Sequence, residues 1–377
     1  MNTEQFVLNT TDDLSTISTS IPKAQLVLLF IGDTQAMDPN LIDGIKGVWA
    51  DSKIITCSTA GGIAGSQIVD SGFIVNAVHM ENTAVSIHCE KLGEDGNSQA
   101  LGERLASSLP QEDLSHVLLF SDGHVVNGTQ LTQGMVNQLP STVSVSGGLA
   151  GDGTRFERTV VGLDEAIEEG SVVAVGFYGD RVKVSCGAEG GWECFGPERT
   201  VTRSEGNVLF ELDGQPALDL YKEYLADDAK ELPGSALRFP LCLFVDGNEL
   251  VRTILSVDED TKSMTFAGDM PEGKVVRLMR CTYDSLISGA EHSIEVACTK
   301  MDGTPADLLI AVSCVGRRIV LGQSTEDELD ALQERMPKSA TITGFYSYGE
   351  IGPGNEASVE CAQLHNQTMT VTAISEV

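Results

Sequence analysis

The sequence contains one order of segments twice, and this internal repeat constrains the fold more than any other feature. In the first copy, an apolar run at 24–30 (AQLVLLF) precedes a helix-like segment, a second apolar run at 53–57 (KIITC) and the loop GGIAG. In the second copy, the runs at 116–120 (HVLLF) and 142–146 (TVSVS) flank a helix-like segment and precede GGLAGDG. Continuous apolar runs of this length indicate strands buried on both faces. The repeat therefore predicts strand–helix–strand–glycine-loop units.

Between the two strands of each copy, apolar residues recur at the spacing of a helix with one buried face. They are Leu41, Ile42, Ile45, Val48 and Trp49 in the first copy, and Leu131, Met135 and Leu139 in the second. A weaker third echo runs from a buried strand at 307–314 to the glycine turn YGEIG at 348–352. We expect an α/β (α+β) fold in which mixed β-sheets are packed with helices.

The chain has 377 residues, which is too long for one ordinary core and predicts two domains. Near Arg199 the pattern changes to short alternating segments around a Gly206-Asn207 turn, typical of an antiparallel hairpin. We place the domains at 1–200 and 201–377.

The charge balance is strongly acidic, with 24 Lys+Arg against 55 Asp+Glu and a net charge of −31. Such a surface repels phosphate backbones and anionic lipid, so we expect neither a nucleic-acid nor a membrane partner. No apolar run reaches the roughly 18–20 residues of a membrane helix, and the N-terminus does not read as a signal peptide. These features predict a cytoplasmic protein.

Nine cysteines are present, and none forms a CxxC pair. Most lie inside apolar segments, as small buried residues do in a reducing compartment, so we expect no disulfide framework and no metal site. Cys57 and Cys314 each lie at the end of a predicted strand, where neighbouring N–H groups and hydroxyls could lower the pKa of a thiol. A nucleophilic thiol also needs a positioned base, and no local motif selects one of the six histidines.

The glycine loops are the first candidate binding elements, because backbone N–H groups in such loops can approach a ligand closely. They match neither GxxxxGK[ST] nor GxGxxG, so a nucleotide phosphate site is not indicated. The candidate residues of these loops are Cys57, Ser58, Thr59, Gly61, Gly148 and Asp152. The alternative is that the glycines serve only packing or positive φ angles, and that Asp152 only caps its turn.

The last third of the chain offers polar candidates beside its closing strands. Arg317 could clamp a carboxylate or pair with a nearby acid, and Tyr348 and Glu350 lie in the third glycine turn. Asn366 could bind a polar ligand group, although strand-end turns also favour Asn for local reasons. No HExxH, GxSxG or paired-carboxylate motif occurs, so we assign no catalytic residue and no cofactor.

Several of these segments resemble the FIST family (F-box and intracellular signal transduction). The segments VLLFSDG (117–123), CSTAG (57–61) and SGGLAGDG (146–153) resemble its N-terminal domain. The segments at 206–225, GFYSYGEIG (344–352) and HNQT (365–368) resemble its C-terminal domain. The resemblance implies an intracellular sensor of a small polar metabolite, with amino acids as one candidate class.

Members of the family are found fused to kinases, cyclases or chemotaxis transducers, or in F-box proteins. Here the two resembling halves occupy the length of the chain, which implies that a signal passes to a signalling protein in trans. Two alternatives stay open: a Cys- or Ser-dependent enzyme that uses Cys57 or Cys314, and an adaptor whose acidic face docks a basic partner.

Overall fold

The computed structural model describes residues 1–34, 40–245, 247–354 and 362–377. The strands are β1 (Asn2–Leu8), β2 (Leu26–Ile31), β3 (Lys53–Ser58), β4 (Gly62–Ala64), β5 (Gln67–Val69), β6 (Phe73–His79), β7 (Ala84–Lys91), β8 (Leu114–Ser121), β9 (Ser144–Leu149), β10 (Val161–Leu163), β11 (Ala166–Glu168), β12 (Ser171–Tyr178), β13 (Val182–Glu189), β14 (Glu193–Glu205), β15 (Val208–Leu212), β16 (Gln215–Pro216), β17 (Leu241–Val245), β18 (Asn248–Arg252), β19 (Ile254–Asp258), β20 (Ser263–Phe266), β21 (Val275–Arg280), β22 (Leu308–Cys314), β23 (Thr341–Ser347), β24 (Gly349–Pro353), β25 (Ala362–His365) and β26 (Met369–Glu376). The α-helices are α1 (Asn40–Val48), α2 (Ser98–Ser108), α3 (Gly128–Gln138), α4 (Ala217–Leu225), α5 (Tyr283–Thr299), α6 (Val315–Leu321) and α7 (Thr325–Arg335). The expected α+β fold of sheets packed with helices is confirmed.

Across the described ranges, three six-stranded sheets share one topology. Their strand orders are β1-β6-β2-β3-β10-β11, β7-β12-β8-β9-β24-β25 and β13-β26-β22-β23-β4-β5. In each sheet the central pair is parallel (β2 with β3, β8 with β9, β22 with β23) and the other pairs are antiparallel. The predicted repeat is therefore confirmed, and its third echo is a complete third copy.

Each glycine loop leads into a hairpin that leaves its own unit. The hairpin β4–β5 follows β3 but pairs with β23 of the third sheet, and β10–β11 follows β9 but pairs with β3 of the first. The hairpin β24–β25 follows β23 and pairs with β9 of the second sheet. The three units thus form a closed ring in which every sheet is completed by a neighbour.

Aromatic side chains from all three units meet where the sheets face one another. The ring centroids of Phe30 and Phe345 lie 5.2 Å apart, and Phe120 lies 6.1 Å from Phe30 and 6.2 Å from Phe345. All three phenylalanines are at most 1% exposed. Fully burying one such side chain contributes about 1.5–3 kcal/mol, so this cluster is a major part of the central core.

Helices cover the outer faces of the sheets. The α2–α3 pair approaches closely at Gly102 and Gly134, where a Cβ atom would collide with backbone carbonyl oxygens of the facing helix. Helices α5 and α7 cover the third sheet through residues such as Ile294 and Leu332. On the first sheet Trp49 is buried at the end of α1 and donates its Nε1–H to the Ile21 carbonyl at 2.9 Å.

An eight-stranded antiparallel sheet, in which β16 pairs with β15 off the main path, is inserted between β13 and α5. Its order is β18-β17-β21-β14-β15-β20-β19, and with α4 it encloses a separate hydrophobic core. We call residues 193–280 the insert. The domain boundary predicted between 1–200 and 201–377 falls inside β14, and the second and third sheets combine strands from both sides of it.

A fully buried ion pair ties α6 to α7. The Glu328 carboxylate accepts from Arg317 Nε at 3.1 Å and Nη2 at 2.9 Å, and also from the hydroxyls of Ser313 and Tyr346. Both charged side chains are 0% exposed.

In the described parts of the chain, no helix is long and apolar enough to cross a bilayer.

Replacing Phe345 by Ala should lower the free energy of unfolding by about 3–5 kcal/mol, because a cavity would open where three sheets meet. Urea titration followed by the fluorescence of Trp49, which packs on the first sheet, measures the loss. The control is Phe210→Ala on the insert, where the ring is half-buried under the Arg203 guanidinium. If both variants lost the same stability, the central role of the cluster would be disproved.

Candidate functional site

A cleft of about 720 Å³ lies between the insert and the second and third sheets. The part of the chain outside the insert, which we call the body, contributes the segment 123–128 after β8, Leu149 at the end of β9 and Phe156 beyond it. It also contributes the segment 314–316 at the end of β22, and Tyr348 and Asn366. The insert contributes Asn207, Pro233, Gly234, Leu237, Thr253, Ile254, Leu255, Phe266, Ala267 and Gly268. The cleft therefore lies at the carboxyl ends of two parallel strand pairs, where open α/β sheets commonly bind ligands.

The cleft walls are uncharged: among the described lining residues there is no Asp, Glu, Lys or Arg. Polar groups come from His124, Asn127, Asn207, Thr253, Tyr348 and Asn366. Three large apolar side chains that line it are strongly exposed, namely Val125 at 47%, Phe156 at 42% and Leu255 at 47%. Exposed apolar residues from three separate segments at one cleft indicate a binding surface.

One wall is shaped by Asp122, which directly follows β8 and is 0% exposed. Its Oδ1 accepts from the backbone N–H groups of His124 and Val125, both at 2.8 Å. Its Oδ2 accepts from the Thr159 hydroxyl at 2.8 Å. These bonds direct the carboxylate into the loop, so its charge fixes the loop and does not face the cleft. The sequence reasoning did not select Asp122, although it lies within the VLLFSDG segment.

Asp152 plays the same part in the loop after β9. Its carboxylate accepts from the backbone N–H of Phe156 at 2.9 Å and of Arg158 at 3.0 Å, and the Tyr348 hydroxyl donates to it. Burial alone would raise the pKa of Asp152, but these hydrogen bonds outweigh burial and hold the pKa below its ordinary value. The loop stacks the Phe156 ring on the Tyr348 ring, with centroids 4.6 Å apart and planes at 17°.

Asn366 joins the body to the insert inside the cleft. Its Nδ2 donates to the carbonyls of His365 at 2.9 Å and Ala267 at 3.4 Å, and its Oδ1 accepts from the Thr253 N–H at 3.4 Å. The Thr253 hydroxyl is buried and has no hydrogen-bond partner within the described structure. A buried polar group without a partner is costly, and Thr253 is one of the residues that line the cleft.

Glu350 is fully buried at the start of β24 and contacts the turn at 366–368, which carries Asn366. Its carboxyl accepts from the Ser347 hydroxyl at 2.6 Å and from the backbone N–H and hydroxyl of Thr368 at 3.2 and 3.0 Å. Burial raises the pKa of Glu350 to about 7, and these hydrogen bonds offset only part of the effect. Glu350 supports the turn that carries Asn366 and does not line the cleft.

Arg317 is directed into the protein rather than into the cleft. Besides its bonds to Glu328, its Nη1 donates to the Gly190 carbonyl at 2.6 Å and its Nη2 to the Leu286 carbonyl at 2.8 Å. These internal acceptors occupy the guanidinium. Of the two roles considered for Arg317, the structure agrees with pairing to a nearby acid, which is Glu328, and not with clamping the carboxylate of a ligand.

The first glycine loop lies near the centre of the ring and not at the cleft. Cys57 belongs to the central core, the Ser58 hydroxyl accepts from the Val160 N–H at 3.0 Å, and the Thr59 hydroxyl donates to the Ile31 carbonyl at 3.1 Å. All three candidates are at most 1% exposed. Their polar atoms are therefore used for chain packing.

The candidate glycines also serve close packing. Gly61 has φ of 120°, and a Cβ there would collide with the Arg318 guanidinium. At Gly148 a Cβ would lie 2.5 Å from Val312 Cγ1, which is too close for any side chain. Of the predicted ligand-binding residues, the structure thus brings Tyr348 and Asn366 to the cleft, with Asp152 directly behind Tyr348.

The two thiols considered as nucleophiles are both buried. Burial raises the pKa of Cys57, and the nearby Asp122 carboxylate raises it further. Burial and then the Glu350 carboxylate raise the pKa of Cys314, although Cys314 lines the cleft. A reactive thiol needs a lowered pKa, so these surroundings do not favour a thiolate. Cys361 lies outside the described residues.

Comparison with known proteins gives two family matches and one curated relative. Sequence models of the FIST N domain and the FIST C domain match residues 25–215 and 217–353. An uncharacterised protein of Methanocaldococcus jannaschii is 24% identical over 337 residues, which cover 81% of this chain and 62% of that protein. The chain thus spans less than two thirds of its curated relative.

Among solved structures, a cyanuric acid hydrolase from A. caulinodans has a TM-score of 0.39 at 7% identity and covers 100% of this chain and 98% of its own. A second cyanuric acid hydrolase structure has a TM-score of 0.32 at 9% identity, with coverage of 100% and 99%. These TM-scores and identities are too low to establish a shared fold or function.

Replacing Glu350 by Gln should change the pH dependence of stability. Because burial raises its folded pKa to about 7 from an ordinary value of about 4.3, the folded state binds the proton more tightly. The protonated Glu350 side chain therefore makes its full contribution to the stability of the folded state below about pH 4.3. This contribution is lost as pH rises through about 7. The stability advantage of the wild type over the variant should fall by about 3 kcal/mol between about pH 4 and pH 8, measured by urea unfolding.

Glu376→Gln is the matched control with the opposite sign. Burial opposes its ionisation, but the backbone N–H groups of Glu81 and Asn82 prevail and lower the pKa of Glu376 to about 2. The ionised Glu376 side chain therefore stabilises the folded state above about pH 4.3, and this contribution is lost as pH falls through about 2. A wild-type advantage over Glu350→Gln that stayed constant with pH would show that the pKa of Glu350 is the same in the folded and unfolded states.

Proposed function

The chain belongs to the FIST family, and from that membership we propose that it is a sensory protein of signal transduction that binds a small molecule in the cleft. The observation that carries the proposal is the uncharged cleft of about 720 Å³ between the insert and the body. Small-molecule sites are typically concavities of about 300–1,000 Å³ with mostly apolar walls and a few placed polar groups.

The lining favours an uncharged ligand. A flat apolar group would contact the Phe156–Tyr348 stack, and amide or hydroxyl groups would meet Thr253 and Asn366. A charged group that leaves water needs a partner of opposite charge, and the described lining contains no Asp, Glu, Lys or Arg. We therefore rank uncharged polar metabolites above amino acids, which enter as zwitterions and are the other outcome of the test.

Ligand binding would couple to signalling through the insert. The ligand would touch the body at Phe156 and the insert at Thr253, so it would favour the arrangement in which both contacts are made. The signal would then pass to a signalling protein in trans that distinguishes the two arrangements. Asn366 connects the same two parts through hydrogen bonds and would be the first group to respond.

A thermal-shift screen with charge-matched pairs, such as aromatic amides and the corresponding carboxylates, tests the proposal. A ligand at about 100 times its Kd adds about 2.7 kcal/mol to the state that binds it, which raises Tm by several degrees. We expect saturable shifts from the amides and none from the carboxylates. Phe156→Ala and Asn366→Ala should each abolish the shift.

The control variant is Tyr283→Ala, which removes an aromatic ring that is 56% exposed and lies outside the cleft lining. It should leave every ligand shift unchanged. Carboxylates that bound more tightly than their amides would overturn the uncharged-ligand assignment. A library without any saturable shift would contradict the sensor proposal itself.

A further inference from the structure

We propose that the insert carries a site for a zinc ion formed by Cys194, Cys242 and Glu249. One ligand atom from each residue lies within 4.8 Å of the other two. Cys242 is buried, Cys194 is half-buried and Glu249 is exposed, so the site is anchored in the sheet and open to solvent. It lies outside the cleft lining and is independent of the function proposed above.

Strand pairing brings the two thiols together. Cys194 on β14 pairs with Met279, and Cys242 on β17 pairs with Arg277. Met279 and Arg277 are two residues apart on β21, so they and both cysteines share one face of the sheet. Because β21 separates β14 from β17, the strands that carry the two cysteines lie two inter-strand spacings apart, about 9.6 Å, whereas a disulfide spans roughly 7 Å between Cα atoms. The pair can therefore share a metal ion but cannot form a disulfide in this fold.

The carboxylate joins from the next strand. Val251 on β18 pairs with Cys242, and Glu249 lies two residues before Val251, which places it on the same face. The three donors come from three strands of one sheet. Their separation in sequence explains why the lack of a CxxC pair predicted no metal site.

Cysteine sulfur and carboxylate oxygen are both ligand types that zinc binds. Zn–S bonds of about 2.3 Å in tetrahedral geometry place two sulfurs about 3.8 Å apart, so small rotamer changes would complete the site. The fourth position would be filled by water. Two thiolates and a carboxylate would give Zn²⁺ a net charge of −1.

Arg277 supplies the compensating charge. It lies on the same face as the thiols, and its Nε is buried without a hydrogen-bond partner within the described structure. A thiolate in the zinc complex would accept that N–H and neutralise the remaining charge. Partners of this kind typically affect metal affinity 10–100-fold.

Titration of the full chain with Co²⁺ and then Zn²⁺ tests the site, because cobalt bound to thiolate has a charge-transfer absorption that carboxylates alone do not give. We expect one cobalt per chain with this absorption, displacement by zinc, and a change in the fluorescence of Trp192, which packs beside Cys194. Cys194→Ser and Cys242→Ser should weaken binding by more than about 100-fold, beyond the effect of outer partners. Glu249→Gln and Arg277→Gln should weaken it about 10–100-fold.

Cys298→Ser, which removes a half-buried thiol on α5, is the matched control and should bind as the wild type does. Alkylation of the wild type gives a result that does not depend on variant folding, since zinc should protect Cys194 and leave Cys298 reactive. Weak metal binding without the thiolate absorption would be non-specific attraction to an acidic protein and would overturn the site. The same conclusion would follow if the absorption survived loss of both Cys194 and Cys242.

Discussion

The exchange of hairpins among three sheets is the constraint on which the rest of the structure depends. Each parallel strand pair lacks a neighbour on one side, and that neighbour is supplied by the glycine-loop hairpin of another unit. A unit alone would expose an unpaired strand edge, which is a liability for any sheet. The ring leaves no unit that is complete by itself, and Phe30, Phe120 and Phe345 fill the space that its closure creates.

Ring closure also decides where ligand chemistry can occur. The first glycine loop is enclosed at the centre by its neighbours, so Ser58 and Thr59 spend their polar atoms on backbone contacts. The loops after β8 and β9 lie where the insert faces the body and stay accessible. The glycine loops after β3 and β9 are equivalent in sequence, but only the loop after β9 faces the insert. The reason is that the insert follows β13 alone and not the equivalent edge strands β1 and β7.

The sequence was sufficient for the repeated units, since buried strands and glycine loops leave local signals. It could not assign the partner of each hairpin, because pairing across units is set by the closed ring and not by any residue of the hairpin. Tyr348 and Asn366 were found because polar residues beside closing strands are conspicuous. Arg317 was equally conspicuous, but its contacts prove internal. Thr253 was missed, because a single threonine between two strands gives no signal until the fold leaves its hydroxyl without a partner among the described residues.

The buried carboxylates explain how a chain of net charge −31 can contain an uncharged cleft. Asp122 and Asp152 bind backbone N–H groups of the very loops that form the walls, so their charge shapes the cleft without facing it. The acidic surface lowers the local concentration of anions. Cations are attracted to that surface, but in the described lining they find no carboxylate with which to pair. The acidic surface therefore disfavours anions, and the cleft lining disfavours charged ligands of either sign. Neutral molecules have the smallest desolvation cost on entering the cleft.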